Sequence, residues 1–254
     1  MDASDPGRRS RPVHGVAVGI LMLDTGFERL PGDVGHAATW PFPVQYAVVR
    51  GADAAAAARG DTEGMLAALV AGARELVATG VDAIATSCGF LAPLQSRLAA
   101  SCPVPVATSS LLQIPMVRQL LPAGRRVGIL AATRAGLTDE VLRAIGVPPD
   151  LPVEALDESS MFLRDHRENR LRVDGQAHRL EVVAAARRLL QRHADVGAIV
   201  CECANFPRHS RAIREATGLP VFDTVTLVNW LHASVKPAYY DWGLASNPGV
   251  VAAD

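Results

Sequence analysis

Two stretches of this chain repeat one another, and that repeat constrains the fold more than any other feature. "VDAIATSCGF" begins at Val81 and "VGAIVCECANF" at Val196. Each opens as a short apolar, β-branched run and closes on a cysteine, which reads as a buried strand giving way to a loop. Aligned without gaps, Asp82 faces Gly197, Ile84 faces Ile199, Thr86 faces Cys201 and Cys88 faces Cys203. The register holds further on, because "PVATS" and "PVFDT" each start 17 residues after their cysteine, at Pro105 and Pro220. Upstream, "RVGILAAT" from Arg126 restates "VGILMLDT" from Val18. These are two copies of one unit.

Within each copy, strand patterns alternate with amphipathic helical ones. "TEGMLAALVAGARELVATG" closes on Gly80, where a helix takes a left-handed cap, and "HRLEVVAAARRLLQRHAD" from His178 leads into the second cysteine strand. Such alternation implies parallel pairing and an α/β fold. Open sheets of this kind bind ligands at the carboxyl ends of their strands, which is where the cysteines stand. The C-terminal "TVTLVNWLHASVKPAYY" reads as a helix that returns to the first unit.

Composition narrows the partners. With 25 Lys and Arg against 26 Asp and Glu there is no basic stripe for a nucleic acid, and 5% aromatic content argues against stacked-base recognition. The opening "MDASDPGRRSRP" lacks an apolar signal core, and no apolar run approaches the roughly 20 residues of a membrane span. The expectation is a cytoplasmic protein acting on a small molecule, with no membrane partner; a homo-oligomer stays open. Four cysteines in 254 residues are too few for a disulfide scaffold, so each is read as a thiol.

Strand alternation puts Cys201 and Cys203 on one side and Glu202 on the other. The duplication separates the cysteines: Cys203 matches Cys88 at a strand end, whereas Cys201 matches Thr86 and reads as buried filling. Cys102, in a connection, reads as structural. A helix N-terminus after each strand is expected to lower the Cys88 and Cys203 pKa values. A thiolate facing a thiol across a cleft is equipment for taking a proton from one face of a carbon and returning it to the other.

In their order and spacing, "GILMLDTGF", "TSCGF", "VGILAATRAGLTDEVLRAIG" and "CECANFP" resemble the motifs of the aspartate/glutamate racemase superfamily, and the likeness runs from about Val13 to about Tyr240. The resemblance implies two pseudo-symmetric Rossmann-like (flavodoxin-like) α/β domains with parallel sheets and an active-site cleft between them. The expected first domain is 13–112 with 222–245, and the second 113–221. It also implies a cofactor-independent, pyridoxal phosphate-free racemase or epimerase of a small carboxylate, working by proton transfer between Cys88 and Cys203, with no metal. The substrate carboxylate would be held by backbone N–H groups and by Thr25, Ser87, Thr108 and Thr133, with Asp24 where some relatives keep an acidic group.

The chain departs from the amino-acid racemases after each cysteine, with Gly89 and Phe90 in one motif and Ala204 and Asn205 in the other. Gly89, Ala204 and Asn205 are still expected at the substrate, and Phe90, with Trp40 and Phe42, would make the pocket more apolar than aspartate or glutamate wants. A hydantoin racemase, a maleate-type isomerase and a decarboxylase are the alternatives within the superfamily; a metal-sensing "CEC" domain is the alternative outside it. His209, Arg134 and the segment "RDHRENRLRVDGQ" read as solvated, and His36 as a loop residue.

Overall fold

The computed structural model describes residues 11–240. The polar lead-in 1–10 and the stretch 241–245 assigned to the first domain lie outside the described residues. The first half contributes strands β1 (Val18–Leu23), β2 (Val44–Val49), β3 (Ala83–Thr86) and β4 (Val106–Ala107), and the second half β5 (Arg126–Ala131), β6 (Val153–Ala155), β7 (Val196–Cys201) and β8 (Val221–Phe222). They form two four-stranded parallel sheets of identical order, β2-β1-β3-β4 and β6-β5-β7-β8. Leu21 pairs with Thr86 in one sheet and Leu130 with Cys201 in the other, which is the register the sequence alignment requires.

The helices are α1 (Ala54–Ala58), α2 (Leu66–Thr79), α3 (Gln95–Ala100), α4 (Ile114–Leu120), α5 (Asp139–Ala144), α6 (Met161–Arg167), α7 (Gly175–Arg192), α8 (Pro207–Thr217) and α9 (Thr224–Val235). Gly80 ends α2 in the left-handed conformation at φ 109°. Asp174 starts α7 by accepting the Gln176 and Ala177 N–H groups at 3.0 Å. Strand β1 is buried along its whole length and β5 almost so, as expected of parallel strands covered on both faces. Their glycines let helices come close. A Cβ on Gly19 would stand 2.9 Å from Leu76 of α2, and one on Gly128 would stand 2.8 Å from Leu189 of α7.

Strands β2 and β6 carry little signal in the sequence. Each lies at a sheet edge, β2 is mostly half-buried, and β6 has only three residues. Helix α9 follows β8 of the second sheet yet buries Leu227 and Leu231 against Ala83 and Ala107 of the first. Its start is fixed by a capping box between Asp223 and Thr226. Hydrogen bonds join the halves on both sides of the cleft: Ser110 Oγ donates to the Cys201 carbonyl at 2.6 Å, Thr133 Oγ1 to the Ala58 carbonyl at 3.1 Å, and the Gly26 N–H to Asn169 Oδ1 at 2.7 Å. Among the described residues no helix is long and apolar enough to cross a membrane.

The two glycines are equivalent in the duplication, so they should respond alike. Gly19→Val and Gly128→Val should each lower stability by about 1–3 kcal/mol through overpacking. Urea unfolding reads this directly, and an unchanged midpoint for either would mean that its helix is not seated against the strand.

Candidate active site

Beyond the carboxyl ends of the central strands of both sheets lies a cavity of about 720 Å³. The loop after β1 supplies Asp24, Thr25, Phe27 and Arg29; the turn after β3 supplies Ser87, Cys88, Gly89 and Phe90. From the second half come Ala132 and Thr133 after β5, Phe162 and His166 of α6, and Glu202 to Asn205 after β7. The structure therefore gathers Asp24, Thr25, Ser87, Cys88, Gly89, Thr133, Cys203, Ala204 and Asn205 around one space, as the sequence suggested.

Thr108 is not among them. Its N–H and hydroxyl both donate to Gln95 Oε1, at 2.9 and 2.8 Å, because the residue after β4 faces α3 and not the cleft. Trp40 and Phe42 also stand apart: Trp40 donates its indole N–H to the Val34 carbonyl, and Phe42 stacks on His232 at 3.6 Å. Phe90 does line the cavity, joined by Phe27, the last residue of "GILMLDTGF", and by Phe162, which no motif marked. His209 is buried beside Phe162, not solvated, and its Nε2 has no hydrogen-bond partner. The charged segment is not all solvent-facing either, since Asp165 is buried against His178 at 2.9 Å and His166, Arg167 and Asn169 reach the cavity. Arg134 is exposed, and His36 caps the turn at 37–39.

Arg29 was missed because an arginine in a loop has no signature. It lies over the Phe27 ring at 4.3 Å and donates to Asp33 Oδ1 and Thr25 Oγ1, each at 2.7 Å. Its charge is thus largely committed within the protein. His166 is pushed down to about 4, chiefly by burial, and is neutral at neutral pH.

Cys88 and Cys203 are half-buried, each with a side on the cavity, while Cys201 is fully buried in the core. Cys88 caps a 3-10 turn at 89–94, and the Phe90 and Leu91 N–H groups favour its thiolate. They do not prevail. Burial first, and the Glu202 charge second, push the Cys88 thiol up to about 12. Cys203 is raised by the same two causes, opposed by the Asn205 N–H and reinforced by Cys88 and Asp33. The expectation of lowered thiol pKa values is therefore not met: the two N–H groups at Cys88 and the one at Cys203 do not offset desolvation.

Glu202 also departs from expectation. Alternation would aim it away from the cysteines, but β7 stops at Cys201, and beyond the strand the alternation no longer applies. Glu202 is 1% exposed and forms part of the cavity wall. It occupies the position of Ser87 in the duplication. The Ser87 N–H donates to the Leu21 carbonyl at 2.9 Å and the Glu202 N–H to the Leu130 carbonyl at 2.8 Å. The side chains match too: Ser87 Oγ accepts the Leu23 N–H at 2.9 Å, and Glu202 Oε2 accepts the Ala132 N–H at 3.2 Å. Burial raises the Glu202 carboxyl to about 8.

This contact explains the glycine after Cys88. A Cβ on Gly89 would overlap the Glu202 carbonyl oxygen and stand 2.5 Å from Oε1. Among the described residues no three His, Cys, Asp or Glu side chains are placed to hold a metal ion.

The buried thiols make a prediction for the ligand-free protein. Iodoacetamide should alkylate Cys88 and Cys203 at least about a hundredfold more slowly than free cysteine at pH 8.5. The rates should climb through pH 10 without levelling; a plateau near pH 8, followed by mass spectrometry of the labelled peptides, would contradict the burial argument.

No family model matches the chain. It is 28% identical over 253 residues to a dimethylsulfoniopropionate lyase of Durusdinium sp. clade D, covering 96% of this chain and 79% of that one. It is also 28% identical over 229 residues to dimethylsulfoniopropionate lyase 7 of Emiliania huxleyi (strain CCMP1516), covering 84% of this chain and 65% of that one. Among solved structures, a mutant arylmalonate decarboxylase in a sulfate-associated form superimposes with a TM-score of 0.61 at 15% identity, covering 89% of this chain and 95% of that one. Allantoin racemase from Klebsiella pneumoniae gives 0.57 at 19% identity (87% and 88%), and Picrophilus torridus aspartate racemase gives 0.50 at 15% identity (87% and 94%). Two parallel sheets of one topology, facing each other across a cleft, are thus a shared frame: the chain has the fold of the aspartate/glutamate racemase superfamily.

Proposed function

We propose that this protein is a lyase that removes the α-proton of a small carboxylate and expels a sulfonium group from the β-carbon as a neutral sulfide, with dimethylsulfoniopropionate as its substrate. The observation that carries this reading is the charge around the two cavity thiols. Among the described residues no cationic side chain acts to lower either thiol, and Asp33 opposes the Cys203 thiolate, so the positive charge that would favour a thiolate comes with the substrate. Holding Cys88 at about 12 makes its thiolate about 4 kcal/mol harder to form than an ordinary one. A unit positive charge about 4 Å away is worth about 4 kcal/mol at an effective dielectric constant of 20. A sulfonium would supply that offset, and the phenyl rings of Phe27, Phe90 and Phe162 give it an apolar, cation-tolerant wall. The similarity to dimethylsulfoniopropionate lyases over most of the chain supports the same substrate.

The reaction needs one base. A cysteine thiolate takes the α-proton, and the C–H pair becomes the Cα–Cβ double bond. The Cβ–S bond breaks, its pair leaving on sulfur as neutral dimethyl sulfide, and acrylate remains. The second thiol is then an acid or a spectator. A racemase remains the second reading, favoured by the equivalent positions of Cys88 and Cys203 in the two halves. There the same carbanion would be reprotonated from the opposite sulfur.

Headspace gas chromatography of purified protein with dimethylsulfoniopropionate should detect dimethyl sulfide. Cys88→Ser or Cys203→Ser should cut its release by about 10²–10⁴-fold for the thiol that acts as base. If instead no dimethyl sulfide forms, and chiral carboxylates exchange their α-proton in heavy water only while both cysteines are intact, the racemase reading replaces this one.

A further inference from the structure

The thiols are not the only acid–base groups on the cavity. Glu202 is the last residue before Cys203, just as Ser87 is the last before Cys88, and both side chains accept the backbone N–H two residues beyond the end of the same pairing. Serine has one side-chain oxygen, which accepts that N–H and keeps its own O–H to donate. Glutamate has two, and Oε2 alone answers Ala132. Oε1 reaches across the cleft to the glycine beside Cys88, and among the described residues nothing hydrogen-bonds to it. The second half therefore presents a carboxyl oxygen where the first half presents a serine hydroxyl.

We propose that Glu202 is a third catalytic group of this site: a carboxylic acid whose O–H donates a hydrogen bond to the substrate carboxylate as the α-carbon loses its proton. This rests on the carbon-acid reading above. When a thiolate takes the α-proton, the C–H pair first shifts toward the carboxylate, which becomes an enediolate with added charge on oxygen. A neutral acid aimed at that oxygen stabilises the charge without giving up its own proton. The pair then returns to expel the sulfide. Burial keeps Glu202 protonated below about pH 8, which suits this donor role. An ionised Glu202 would do the reverse, repelling the carboxylate and opposing both thiolates.

The neighbours that face Glu202 do not blur this titration. Cys88 and Cys203 are raised above it, and His166 on α6 is held near 4. The other charges on the cavity are the carboxylates Asp24, Asp53 and Glu158 and the cations Arg29, Arg59 and Arg167. Behind the cavity wall, Cys201 is also raised.

Propionate, the substrate skeleton without its leaving group, tests the proposal independently of turnover. Isothermal titration calorimetry of the intact protein should show propionate binding that is flat below pH 8 and weakens about tenfold for each pH unit above it. Glu202→Gln keeps a donor but cannot ionise, so its propionate affinity should be independent of pH over this range. In the lyase assay that variant should keep its rate within about tenfold, and Glu202→Ala should lose about a hundredfold or more. Three results would overturn the proposal: no propionate binding by the wild type, binding by the wild type that does not change above pH 8, or a Gln variant as impaired as the Ala variant while unfolding at the wild-type temperature. The wild-type pH profile stands even if the variants misfold. A wild type that binds propionate as described yet releases no dimethyl sulfide would sink the lyase reading and leave the role of Glu202 intact.

Discussion

The approach of Glu202 to Gly89 is the contact on which the site depends. Each half ends a parallel strand at the cleft, and at these two residues the halves meet with no room for a methyl group between them. Ser110 and Thr133 support the same approach with hydrogen bonds from one half to the other. The result is that Cys88 and Cys203, one per half, share a cavity wall instead of two separate clefts. A glycine at 89 is a steric requirement of this geometry, and not a sign of a flexible loop.

That closeness has an electrostatic cost. Protein packs the thiols and the carboxyl on most sides, so each resists ionisation, and the charge of any one opposes the others. The ligand-free site is therefore a set of neutral acids. On the lyase reading, a thiolate forms once a ligand changes this charge balance, which a zwitterion with a positive end can do. A dicarboxylate would add negative charge beside three groups that already resist it, and of the cavity cations Arg29, Arg59 and Arg167 the first is occupied by Asp33 and Thr25. The aromatic lining points the same way.

The duplication was legible because both copies keep the same small and β-branched residues at strand positions, down to Gly19 and Gly128. Equivalent strands then had to carry equivalent ends, which put Cys88 and Cys203 together and left Cys201 in the core. What the sequence concealed lies where regular structure stops. Glu202 stands one residue past β7, so the two-residue period gave it the wrong side. Thr108 follows a strand end as Ser87 does, yet α3 captures it through Gln95. His209 sits in a polar helix, and the packing of α8 on α7, with Phe162 of α6 beside its ring, goes with its burial. The thiol pKa values failed for a different reason: the local N–H groups are visible in a motif, but the desolvation that outweighs them comes from both halves at once.

The halves share a topology but differ in the residue before each cysteine, Ser87 against Glu202. For a racemase this difference is awkward, because the two hands of the substrate are equal in energy and the enzyme must serve proton removal from either side. An elimination runs toward products with a departing neutral sulfide and needs its base on one side only. A carboxylic acid built into one half alone, fixed through Oε2 with Oε1 left for a ligand, is the kind of asymmetry that a one-directional reaction can use. Two equivalent strand ends supply the two thiols; the carboxyl of Glu202 has no counterpart before Cys88, and it lies on the cavity beside both thiols.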